Sequence, residues 1–236
     1  VVPPETASAS APPVALVELF TSEGCSSCPP ADRLLGELVD SSDRRIYALA
    51  FHVDYWDDLG WPDPFASSTY TARQQTYARA FASREMYTPQ MIVNGTEGFT
   101  GSDRDRAETA IHEALSQPST LRLDLHPRWT AAGALTVDYE VSEAPPAASL
   151  VVALVEHRTL THVLRGENAG RTLRHENVVR SLATASLEVA RGSVTVDLPR
   201  ALPYPGAELI AWAQRGPSIA AGLPVLGAAR SPLPTR

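Results

Sequence analysis

VALVELF at residues 14–20, TSEG at 21–24, CSSC at 25–28 and PPADRLLGELV at 29–39 form the stretch that decides how this chain is read. Val14 to Phe20 is a short apolar run with the length of a buried strand. Leu34, Leu35, Leu38 and Val39 recur at helical spacing, so an amphipathic helix is expected over 29–39. Pro29 and Pro30 suit its first turn, where a missing N–H costs little. Between strand and helix stand the only two cysteines, Cys25 and Cys28. Two thiols at that spacing can close a small disulfide, and a helix N-terminus favours the thiolate of the first. Cys25 is expected with its sulfur exposed, and Cys28, one turn in, as the residue that resolves a mixed disulfide. Ser26 and Ser27 permit the tight turn and can donate hydrogen bonds to sulfur. A metal site or a lone structural staple is compatible with the same pair.

Working outward, Ile46 to Val53 reads as a second buried strand, with Asp54 and Trp56 just past its end. Gly60, Pro62 and Pro64 mark a loop, and Ser68 to Arg84 carries a helical pattern. Gln90 to Val93 reads as a strand, Asn94-Gly95 as a hairpin turn, and Thr96 to Thr100 as its return. The turn also accounts for the glycosylation-like triplet at Asn94. Ser102 is expected to cap a helix that ends before Pro118. After Pro118 the period switches to two, in Leu121, Leu123 and Leu125 and again in Leu135, Val137, Tyr139 and Val141. Further strand candidates are Leu150 to Val155, Val194 to Leu198 and Leu209 to Gln214. This pattern predicts a leader at 1–13, a helix-bearing domain at 14–118 with a helical insertion at about 57–85, a small β-sandwich at 119–215, and a tail at 216–236.

The net charge of −7 argues against nucleic acid as the main partner, because phosphate recognition needs a basic excess. All 20 cationic side chains are arginine, which reads as base composition of the source genome. No apolar run approaches the ~20 residues of a membrane span. Residues 1–13 are rich in Pro, Ala and Ser, and the chain opens on Val1. That suits a leader left after removal of an export signal, or an arbitrary boundary.

The order of elements over residues 14–117 resembles the thioredoxin fold. Thr88-Pro89-Gln90-Met91-Ile92-Val93-Asn94-Gly95 resembles the segment in which that fold sets a cis-proline against its Cys-x-x-Cys pair. The resemblance implies an α/β thioredoxin-like N-terminal domain, followed here by the all-β sandwich. It implies that Thr88 and Pro89 contact a substrate, with Tyr87 and Trp56 beside them. Thioredoxin buries an acid on the strand before its motif, and Glu18 is the nearest match. It stands either as a buried proton acceptor for the cysteine pair, or on the strand's solvated face, or as the partner of a buried Arg. Glu23 is expected exposed beside Cys25. His52 and Asp54 lie at the carboxyl end of the second strand, where open α/β sheets carry their sites, though a structural role for His52 is the plainer alternative.

Residues 18–32, 52–57, 87–90, 165–173 and 177–180 resemble a bacterial family of secreted, thioredoxin-like proteins whose domain has no assigned function. The resemblance implies a periplasmic or secreted location. The dense run at 164–180, with Arg165, Glu167, Arg171, Arg174, His175, Glu176 and Arg180, reads as a loop docked near the cysteines or as a solvated hairpin.

The leading expectation is thus a thiol–disulfide oxidoreductase using the Cys25–Cys28 pair and no other cofactor. Its partners would be protein or small-molecule thiols and disulfides and a redox partner protein. The alternatives are a Cu(I)-binding module, with His52 or Met91 completing the site, and a binding protein with a structural staple.

Overall fold

The computed structural model describes residues 11–199, 206–216 and 222–235; most of the expected leader and part of the expected tail lie outside them. The first half follows the sequence pattern closely. Strand β1 (Ala15–Thr21) leads through the cysteine turn into helix α1 (Pro29–Val39) and strand β2 (Ile46–His52). A short 3-10 turn at Asp57–Leu59 precedes α2 (Ser68–Ala80), followed by β3 (Gln90–Val93), β4 (Glu97–Thr100) and α3 (Arg104–Ser116). Asp103, not Ser102, caps α3, accepting from the Arg106 N–H at 3.1 Å. β1 runs parallel to β2 and antiparallel to β3, and all seven of its residues are buried. A strand covered on both faces is apolar along most of its length, and Glu18 and Thr21 are the polar exceptions in this one.

The second half holds β5 (Leu123–Trp129), β6 (Leu135–Val141), β7 (Ala148–His162), β8 (Thr172–Ser186), β9 (Arg191–Val196), β10 (Ala207–Arg215) and β11 (Val225–Pro232). These strands do not make a separate sandwich behind a helix-flanked thioredoxin-like domain, and that expectation is corrected here. The fold is mostly β. One mixed sheet of eight strands runs β11-β10-β7-β8-β2-β1-β3-β4 through both halves, and β5-β6-β9 form a small second sheet. The seam is β2 against β8, parallel at Ala50 and Val178. Asn177, held at φ 47°, donates from Nδ2 to the Ala48 carbonyl at 2.9 Å and fixes that seam.

Side-chain alternation explains the layers. Leu150, Val152 and Leu154 of β7 face the small sheet together with Leu209, Ala211 and Ala213 of β10. Val151, Ala153 and Val155, with Ile210 and Trp212, face the opposite way and share one core with Leu16, Phe20, Phe51, Tyr70 and Tyr77 from the first half. Val17 and Leu19 point to the other side of β1, where α1 and α3 cover them. The Asn94-Gly95 turn joins the halves again. The Leu223 N–H donates to the Gly95 carbonyl at 2.8 Å, and a Cβ on Gly95 would stand 2.0 Å from the Leu223 oxygen. Among the described residues no helix is long and apolar enough to cross a membrane.

Candidate functional site

Cys25 and Cys28 are joined as a disulfide at the N-terminus of α1, with Cys28 in the capping position. Both are completely buried, so the exposed Cys25 sulfur expected from the sequence is corrected. Ser26 and Ser27 remain on the surface. Ser27 Oγ lies 3.3 Å from Cys25 Sγ and 3.5 Å from the Thr88 carbonyl. The Thr88–Pro89 bond is cis. Trp56 donates from Nε1 to Thr88 Oγ1 at 2.8 Å and packs against Gly24, while Tyr87 stays at the surface. These contacts bring Thr88 and Trp56 to the cysteine turn, with Tyr87 and Pro89 as the chain neighbours of Thr88. The helix end offers fewer donors than expected. Pro29 and Pro30 have no N–H, and those of Ala31 and Asp32 both go to the Cys28 carbonyl.

Glu18 sits elsewhere. Its side chain alternates to the face of β1 opposite α1 and is fully buried there. Arg73 of α2 donates to its two oxygens at 2.5 and 2.9 Å, and the Tyr77 hydroxyl donates to Oε1. Arg73 also bonds Gln214 Oε1 at 3.0 Å and lies over the rings of Phe51, Tyr77 and Trp212. Burial alone would lower the Arg73 pKa, but the Glu18 charge outweighs it and the guanidinium is held above its ordinary value. Glu18 is the partner of a buried arginine, and its role as acceptor for the cysteines is withdrawn. Asp54 is also structural: its Oδ1 accepts from Thr71 Oγ1 at 2.5 Å at the start of α2.

A different group of ionisable side chains lies under the cysteine turn. Glu23, expected exposed, is buried and accepts from Trp61 Nε1 at 2.8 Å. Asp32, in the first turn of α1, accepts from Thr21 Oγ1 at 2.8 Å. His175 of β8 stands between them, with Nε2 3.3 Å from Glu23 and Nδ1 3.7 Å from Asp32. His52 meets the His175 ring edge-on at 4.7 Å and holds Asp63 through Nδ1 at 2.7 Å. Asp63 in turn accepts the Glu23 N–H. Burial raises the Asp32 pKa, and the nearby His175 and His52 offset this only in part. Burial opposes charge on His52, yet Asp63, with Asp32 and Glu23 behind it, lifts its pKa above the ordinary value. Burial likewise opposes charge on Asp63, but the His52 charge and hydrogen bond and two backbone N–H groups lower its pKa. Glu23 Oε1, His52 Nε2 and both nitrogens of His175 make no hydrogen bond within the chain. Among the described residues no group of three or more such side chains is arranged to hold a metal ion. Met91, a candidate copper ligand, is packed among Leu19, Leu35 and Phe99.

The turn between β7 and β8 completes the site. Asn168, fully buried, donates from Nδ2 to the Glu23 carbonyl at 2.8 Å and the Cys25 carbonyl at 2.9 Å. Glu167 accepts the Ser26 N–H at 3.0 Å. The docked-loop reading of this run applies to the turn itself, while residues 172–180 belong to β8. Sequence reasoning did not single out Asn168, Asp32 or Asp63. The signal for Asn168 was the pair of glycines around it, Gly166 and Gly170, both at φ 78°.

A family model described as "Protein of unknown function (DUF1223)" matches residues 16–214. The chain belongs to this DUF1223 family. No curated protein matches it. A crystal structure of protein AGR_C_4864 from Agrobacterium tumefaciens is similar, with 25% identity and a TM-score of 0.66, over 94% of this chain and 95% of that one. HBP35 of Porphyromonas gingivalis is similar in fold, with 14% identity and a TM-score of 0.64, over 95% of this chain and 76% of that one. Both likenesses run through the two halves of the DUF1223 chain, in keeping with the continuous sheet.

Proposed function

We propose that this DUF1223 protein is a thiol–disulfide oxidoreductase working through Cys25 and Cys28, in a bacterial periplasm or outside the cell. The observation that carries the reading is the chemistry packed around the pair. A chain with two cysteines joins them at a helix N-terminus, sets a hydroxyl against Cys25 Sγ, and buries a carboxylate–imidazole cluster beneath. Burying that many ionisable groups is costly, and perturbed groups concentrate where protons must move. In exchange, a thiolate of the partner attacks one sulfur of the disulfide, a mixed disulfide forms, and the other sulfur departs as a thiolate. Ser27 is the hydroxyl within reach of a Cys25 thiolate. Asp32, one turn along α1, is the carboxyl group of that helix nearest in the chain to Cys28. The partners are protein or small-molecule thiols and disulfides.

The complete burial of the disulfide favours a second reading, a structural staple in a binding protein. One experiment separates the two. In Cys28→Ser, the oxidoreductase captures a partner or a model disulfide on Cys25. A staple captures none, and its disulfide does not exchange with added thiols in the folded wild type.

A further inference from the structure

The segment from Leu164 to Gly170 crosses the cysteine turn with one buried side chain, Asn168, among exposed neighbours. Nothing apolar anchors it: Leu164 is 68% exposed. Its hold on the site is polar. The Asn168 amide bridges the Glu23 and Cys25 carbonyls, Glu167 takes the Ser26 N–H, and Arg171 Nη1 orients Asn168 Oδ1 at 2.9 Å. Gly166 lies against Gly60 and Trp61, where a Cβ on Gly166 would stand 3.2 Å from Trp61 Cβ. Gly166 and Gly170, both at positive φ, flank residues 167–169, and the Gly170 N–H donates to the Val163 carbonyl at 2.8 Å, which closes the base of the loop and leaves its tip to move.

We propose that residues 164–170 form a gate over the Cys25–Cys28 disulfide, latched by Asn168 and Glu167. The proposal rests on the exchange reading above and concerns its regulation. In the closed form both cysteines are buried, and the gate holds the backbone of Glu23, Cys25 and Ser26, the turn that carries Cys25, so an attacking thiolate needs that turn released. Opening breaks hydrogen bonds that polypeptide backbone or solvent can replace, and it leaves the apolar cores intact. It is therefore local, separate from unfolding of the sheet. The groups uncovered are two backbone carbonyls and one N–H beside Cys25, a pattern that an extended polypeptide carrying a cysteine can satisfy.

The test uses the full chain and dithiothreitol. A dithiol thiolate attacks one sulfur, its second thiol closes the oxidised ring, and the protein is left with two thiols. Excess iodoacetamide then labels both, and with no other cysteine in the chain the mass gain reports this pair alone. Asn168→Ala is expected to raise the reduction rate about tenfold or more, and Arg171→Ala about two- to fourfold. Arg171 is exposed, so that variant keeps the test alive if Asn168→Ala does not fold. Hydrogen exchange of the Ser26 amide should rise in parallel and stay independent of urea well below the unfolding midpoint, as a local opening does. The gate is overturned if Ser26 exchanges faster in the variants while reduction stays within twofold of wild type. It is also overturned if reduction accelerates only in step with global unfolding. Failure of the exchange reading looks different: the variants open and are reduced faster, yet Cys28→Ser captures no disulfide partner with the gate open.

Discussion

Two buried polar clusters lie in this DUF1223 protein, and they are built to opposite standards. In the first, Glu18, Arg73, Tyr77 and Gln214 tie β1, α2 and β10 together, and no buried polar atom of these four side chains lacks a hydrogen bond. In the second, Glu23, Asp32, His52, Asp63 and His175 surround the base of the cysteine turn, and four of their buried atoms make no hydrogen bond. Satisfied polar networks hold elements in one arrangement. Incompletely satisfied ones cost stability, and natural chains keep them where chemistry is done. On the proposed function, the first cluster belongs to the join between the halves and the second to the disulfide.

The comparison breaks most visibly at Glu18. Glu18→Ala strands the Arg73 guanidinium in the core and is expected to cost about 3–5 kcal/mol in urea unfolding. His175→Gln removes a ring without hydrogen bonds and should cost less than about 1 kcal/mol by the same measurement. A loss at His175 equal to that at Glu18 would erase the distinction.

A smaller effect sharpens it through pH. His52 has a raised pKa, so its contribution is present below its ordinary 6.5 and is lost as pH rises through its folded value. Asp63 has a lowered pKa, so its contribution is present above its ordinary 3.8 and is lost as pH falls through its folded value. Asp32, also raised, adds to the decline toward higher pH. The His52–Asp63 contribution should therefore fall on both sides of roughly pH 4–6.5, the span between the two ordinary values, with Asp32 lowering stability as pH rises within it. His52→Gln should flatten the alkaline side in urea titrations from pH 5 to 9. The smallest effect belongs to Ser27→Ala. Without the hydroxyl beside Sγ, alkylation of reduced Cys25 at pH 7 is expected to slow by about three- to tenfold.

The elements around the cysteines were legible because each signal there is local. β1 is a buried run, α1 carries its apolar stripe and two leading prolines, and Asn94-Gly95 adopts the paired positive φ values of a tight hairpin. The continuity of the sheet was not legible, because it depends on β8. That strand carries Arg174, His175, Glu176 and Arg180, which read as a docked loop or a solvated hairpin. Their charges are taken up by neighbours: Glu176 with Arg158 and Arg174, Arg180 with Glu156. β11 was read as part of the tail. It carries Gly227, where a Cβ would stand 2.1 Å from the Leu121 oxygen, so close backbone approach replaced the usual alternation. Glu18 shows the limit of the site reading. Burial and a solvated face both stand as readings of its sequence, and which face of β1 it takes follows from a two-residue period that the thioredoxin resemblance does not carry. The acids near the disulfide, Asp32 and Glu23, come from the first turn of α1 and from the loop before it.

The central claim is that the cluster under the cysteine turn, and not Glu18, serves the disulfide. Its most direct test is the rate at which dithiothreitol reduces Cys25–Cys28 in wild type, Glu18→Gln and Asp32→Asn, each verified as folded at the working temperature. Glu18→Gln is expected to stay within about twofold of wild type, while Asp32→Asn is slower by about tenfold for want of its ionisable carboxyl group. An Asp32→Asn rate equal to wild type together with a tenfold loss in Glu18→Gln would contradict it.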